Sequence, residues 1–70
     1  MPERIVIGRD GLLVRRGRVQ GLLLPQVASE HGFGAEAFLR AVCHKAGLPA
    51  GSWQEPGTQV FTFTADILAE

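Results

Sequence analysis

In the run Gly21-Leu22-Leu23-Leu24-Pro25-Gln26-Val27-Ala28 an unbroken apolar triplet meets a proline. Proline lacks the N–H that a sheet ladder needs, so a strand has to stop there. The same residue has the fixed φ that suits the first turn of a helix. The chain is therefore forced to change from extended to helical backbone near Pro25. A strand that faced water on one side would alternate apolar with polar residues. Leu22-Leu23-Leu24 does not alternate, and neither does Leu12-Leu13-Val14. Both triplets call for cover on two sides of a sheet.

Downstream, Ala35, Phe38, Leu39, Val42, Cys43 and Ala46 recur at steps of three and four, which puts them on one face of a helix. Gly47 and Pro49 end it, the glycine by tolerating φ > 0 and the proline by preventing resumption. Glu36 and Arg40, four apart with the acid first, add a few tenths of a kcal/mol, about the usual value for such a pair. Pro25 to His31 is predicted to be a short helical turn closed by Gly32.

The strands flank these helices. Ile5-Val6-Ile7 is a β-branched run before Gly8, and Asp10-Gly11 is a favoured hairpin pair. Leu12-Leu13-Val14 would then be the returning strand. Arg15-Arg16-Gly17-Arg18 is a second turn, and Val19–Leu24 a third strand. Gly21 inside that strand signals a bulge or a close backbone approach. The expectation is a three-strand antiparallel meander. Gln59–Thr64 alternates, with Phe61 and Phe63 on one face and Val60, Thr62 and Thr64 on the other, and Asp66-Ile67-Leu68 is its possible extension. Trp53, in a Gly- and Pro-rich loop, is expected to plug the edge of the core. The predicted fold is α+β: an antiparallel sheet of three to four strands, with one main helix packed on one face and a short helical turn near Pro25–His31.

Seventy residues allow a single domain. Seven Lys plus Arg balance seven Asp plus Glu, so net charge selects no class of partner. The lone Cys43 cannot form an internal disulfide and fits a reducing, cytoplasmic setting. No apolar run approaches the roughly 20 residues of a membrane span. The cysteine and histidines lack zinc-finger spacing, and no metal or other cofactor is expected. Adjacent residues on a helix diverge, so Cys43 and His44 form no thiolate–imidazole pair; Cys43 is expected in the core and His44 in solvent. Gly8, Gly11, Gly17 and Gly21 do not make a phosphate loop, which requires Lys-Ser/Thr after its last glycine. Five arginines (Arg4, Arg9, Arg15, Arg16, Arg18) lie in the first 20 residues against Glu3 and Asp10. Aromatic residues do not interleave with them, which disfavours nucleic-acid binding.

The order IVIGRDGLLV, GLLLPQVASEHGF, FLRAVCHKAGLP, a tryptophan and a final strand resembles the C-terminal part of the AMMECR family. That family is named for the Alport syndrome, midface hypoplasia and elliptocytosis chromosomal region, and its prokaryotic members are called AmmeMemoRadiSam system protein A. The resemblance runs from about Ile5 to Glu70. It departs at Gly32-Phe33, where a Gly-Trp pair is frequent, and at Ile67-Leu68, where an aromatic is. The family's Leu-Arg-Gly-Cys-Ile-Gly signature belongs upstream and is absent here; Cys43 is not its cysteine. Residues 1–70 are accordingly expected to be one unit, the C-terminal portion of an AMMECR-type domain.

The resemblance implies a regulatory or protein-interaction module. Its implied partners are the missing N-terminal half of the domain, a second copy or another protein, with a Memo-like protein and a radical S-adenosylmethionine protein as associates. One alternative is part of an enzyme whose site the upstream signature completes, with Gln26, Glu30 and His31 as candidate binding residues at its rim. The other is nucleic-acid binding through the arginine-rich hairpin.

Overall fold

The computed structural model describes residues 2–64. A 3-10 turn, Pro2–Arg4, leads to strand β1, Asp10–Arg16, and strand β2, Val19–Leu23. Helices α1, Pro25–His31, and α2, Ala35–Lys45, follow. A second 3-10 turn, Ser52–Gln54, precedes strand β3, Gln59–Thr64. The sheet is antiparallel with the order β2-β1-β3. The predicted extension at Asp66-Ile67-Leu68 lies outside the described residues.

The α+β architecture is as expected: three strands with the main helix across one face. The meander is not. Ile5-Val6-Ile7 is no strand, because the start of β1 uses both backbone groups of Val6. Its C=O accepts from Arg9 N–H at 3.1 Å and from Asp10 N–H at 2.9 Å. Its N–H donates to Asp10 Oδ2 at 3.0 Å. Neither group is left for a ladder, and Ile5 instead turns into the core. Asp10-Gly11 is likewise not a hairpin tip: Asp10 pairs with Thr64 and Gly11 with Phe63 inside the sheet. β3 takes the place beside β1 that residues 5–7 were expected to fill.

The β1–β2 hairpin forms where predicted. Arg16 pairs with Val19, leaving Gly17 and Arg18 as the two loop residues. Gly17, at φ +60°, stands at the first loop position, where a type II′ turn calls for glycine.

Both helices close by one device. Phe33 N–H reaches the Ala28 carbonyl at 2.9 Å, and Leu48 N–H reaches the Cys43 carbonyl at 2.9 Å. Gly32 at φ +69° and Gly47 at φ +80° provide the left-handed residue that this Schellman arrangement needs. Pro25 occupies the first turn of α1, as its sequence position suggested.

The apolar stripe of α2 lies against β1 and β2. Phe38, Leu39, Val42 and Cys43 are fully buried with Leu12 and Val14 of β1 and Ala28 of α1. Trp53 and Val60 pack at the margin of this core. The helices thus cover the Leu12/Val14/Val60 side of the sheet, while Phe61 and Phe63 lie on the other side.

Candidate interaction surface

Strand register assembles the uncovered face of the sheet. Side chains alternate across each strand, so those of Gly11, Leu13 and Arg15 share the side away from α2. Leu13 pairs with Leu22 on one flank and Phe61 on the other. These three form an apolar row across all three strands. Arg15 pairs with Gln20 and Gln59, giving a polar row toward the hairpin tip. Toward the opposite end Phe63 pairs with Gly11. A Cβ at Gly11 would collide with the Phe63 ring, so the ring lies across the bare backbone there.

Leu22 is 45% exposed and Phe61 43% exposed, while Leu13 and Phe63 are half-buried. The row Leu22–Leu13–Phe61 is thus a contiguous apolar surface in contact with water. The Arg15 guanidinium lies 5.9 Å from the centroid of the Phe61 ring. Its Nη2 donates to Gln59 Oε1 at 3.2 Å.

Two other arginines, Arg9 and Arg16, are differently engaged. Arg9 Nε donates to Asp10 Oδ1 at 2.8 Å. Arg16 Nη1 donates to Glu55 Oε1 at 2.8 Å and to Thr58 Oγ1 at 2.9 Å. Arg9 and Arg16 therefore already have intramolecular oxygen partners.

The candidate binding residues of α1 are all exposed. Gln26 and Glu30 stand one turn apart on the same side of the helix. The His31 ring stacks on Phe33 at 5.2 Å between centroids. No hydrogen bond joins the three, and among the described residues no pocket forms beside them.

Sequence reasoning passed over Asp10, a carboxylate only 2% exposed. The Arg9 guanidinium, and then the Val6 N–H, hold its carboxyl below the ordinary carboxylate value. Its role is to fasten the chain entry to β1. Cys43 is buried as expected, and burial pushes its thiol up, with Glu55 adding to the effect and a hydrogen bond at the Trp53 backbone opposing it. Such a thiol is a poor nucleophile at neutral pH.

A protein-family model described as AMMECR1 matches residues 1–68. The chain belongs to the AMMECR1 family. Protein TK0174 of Thermococcus kodakarensis is 52% identical over 69 residues, which are 99% of this chain and 34% of that protein. A protein of Methanothermobacter thermautotrophicus is also 52% identical over 69 residues, 36% of its length. The crystal structure of uncharacterized protein PH0010 from Pyrococcus horikoshii is similar with a TM-score of 0.88 at 51% identity. That likeness covers 90% of this chain and 31% of the Pyrococcus chain. This chain therefore spans about a third of the length of these AMMECR1-family relatives. No helix among the described residues is long and apolar enough to cross a membrane.

Proposed function

We propose that this chain is a regulatory or protein-interaction module, and that its outer sheet face is where the remainder of an AMMECR sequence docks. The supporting observation is the row Leu22–Leu13–Phe61, open to water in a chain that matches only 34% of its Thermococcus relative. Fully burying a leucine or phenylalanine is worth roughly 1.5–3 kcal/mol. Covering the exposed parts of Leu22 and Phe61 therefore gives a substantial drive toward contact. In this reading a Memo-like protein and a radical S-adenosylmethionine protein are partners of the assembled domain rather than of these 70 residues alone.

A chimera tests the proposal: TK0174 with its matching segment replaced by this chain, followed by calorimetry. Docking predicts one cooperative transition, with a higher midpoint than the isolated chain gives at low micromolar concentration. Phe61→Glu should lower the chimera's midpoint and split the transition. Two independent transitions in the unsubstituted chimera, one of them matching the isolated chain, would refute docking.

A further inference from the structure

The outer face has one charged position. Of its paired residues, Gly11, Leu13, Gln20, Leu22, Gln59, Phe61 and Phe63 are uncharged and Arg15 is not. Arg15 also differs from Arg9 and Arg16 in its company. Arg9 and Arg16 each meet a carboxylate, Asp10 and Glu55 respectively. The partners of Arg15 are neutral: the Gln59 side-chain oxygen and the Phe61 ring. Of the five N–H donors of a guanidinium, one is directed to Gln59.

Water serves the other donors while the face is open. Any surface that covers Phe61 removes that water, because the guanidinium lies 5.9 Å from the ring centroid. A charge buried without a partner is strongly unfavourable, and hydrogen bonds donated to a paired carboxylate are what relieve it. Arginine is also the cation best matched to such a partner, through two parallel N–H···O bonds.

From this we infer that the occupant of the outer face presents a carboxylate to Arg15. The inference rests on the docking proposal above and specifies its chemistry. The remaining AMMECR sequence is apolar where it meets Leu22, Leu13 and Phe61, and acidic where it meets Gln20, Arg15 and Gln59. Apolar contact along one row provides the attraction. The acid at the next row fixes orientation, since a half-turn of the occupant would put its carboxylate on Phe63.

The test compares Arg15→Glu, Arg15→Gln and Arg40→Glu in the same chimera and in the isolated chain. Arg40 is exposed on α2, the helix that covers the opposite side of the sheet. The inference predicts that Arg15→Glu lowers the chimera's midpoint at least about threefold more than it lowers the isolated chain's, because only the chimera holds the buried pair. Arg15→Gln should have a smaller effect of the same kind, and it serves if the reversed charge prevents folding. Arg40→Glu should shift both proteins equally, by the small cost of turning the Glu36–Arg40 spacing into a like-charge pair. If Arg15→Glu and Arg15→Gln shift the two proteins equally while Phe61→Glu still disrupts the chimera, docking stands and the carboxylate does not. A chimera that shows no coupling before substitution overturns both.

Discussion

Gly21 is the position at which two physical effects point in opposite directions. It sits in β2 opposite Val14, on the face that α2 covers. Strand propensity alone says that valine should improve such a site, since β-branched residues suit a pleated surface. The space says otherwise. A Cβ at Gly21 would stand 2.9 Å from the backbone N and Cα of Ala46 and 3.0 Å from its Cβ. Carbon atoms are at their best separation near 3.5–4.0 Å, so the end of α2 must retreat by about 0.6–1 Å. It is poorly placed to do so: Val42 and Cys43, in the preceding turn, are fully buried, and the helix is closed by the Cys43–Leu48 bond. Overpacking of this kind costs about 1–3 kcal/mol. Restricting the unfolded chain returns about 0.4–1 kcal/mol. Gly21→Ala should therefore lose roughly 0–2.6 kcal/mol net, centred at about 1.3 kcal/mol, which is a fall of about 5–10 °C at that centre in a domain of this size. Gly21→Val should fall further, as its extra methyls point into the same gap. Urea titration followed by far-UV circular dichroism, together with Trp53 fluorescence, measures both. A valine variant more stable than the parent would show that propensity wins and that α2 does not press on this strand.

Phe38→Ala, which empties a fully buried site, should cost about 3–5 kcal/mol, comparable with the whole stability of a small domain; an unchanged thermal midpoint would contradict that. Cys43 should resist a thiol reagent at neutral pH until the protein is unfolded, so rapid labelling of the native chain would count against the packing of α2. Asp10 has a folded pKa below its unfolded one, so its contribution is complete above the ordinary carboxylate value and is lost as pH falls through the lower folded value. Asp10→Asn should flatten the acid limb of stability against pH, and an identical limb in both proteins would remove Asp10 from that role. Sedimentation should show the isolated chain monomeric at the low micromolar concentration used for calorimetry and associating through the outer face only well above it, with Phe61→Glu removing that association.

Both helices were legible in the chain because their signals are local. Steps of three and four mark the stripe of α2, and Gly32, Gly47 and Pro25 mark ends through their own backbone preferences. Gly21 announced a close approach, though not that Ala46 makes it. Ile5-Val6-Ile7 misled because three β-branched residues satisfy strand propensity, while a carboxylate further along the chain had already claimed the backbone of Val6. No pattern within residues 5–10 shows that competition. The outer face was half legible. The triplets Leu12-Leu13-Val14 and Leu22-Leu23-Leu24 implied two-sided cover, yet aligning Leu22, Leu13 and Phe61 requires the register of β3, which is a long-range fact. Gln26, Glu30 and His31 are candidates by their chemistry on a short helix, and spacing does not say whether anything converges on them.

The strand order has a consequence for how the protein is made. β1, near the start of the chain, is the middle of the sheet, and one of its edges belongs to β3. Arg15 and Gln59, which meet across that edge, are 44 residues apart. On a ribosome the hairpin, α1 and α2 can form while β3 is still untranslated. Until residues 59–64 emerge, β1 offers an unpaired row of backbone groups flanked by Leu13, an inviting template for a neighbouring nascent chain. Closing so long a loop also comes late for entropic reasons. The step that seals the sheet is therefore expected to be the slowest in folding, and synonymous changes that slow translation between Ala46 and Gln59 should lengthen the interval in which nascent chains can misassemble.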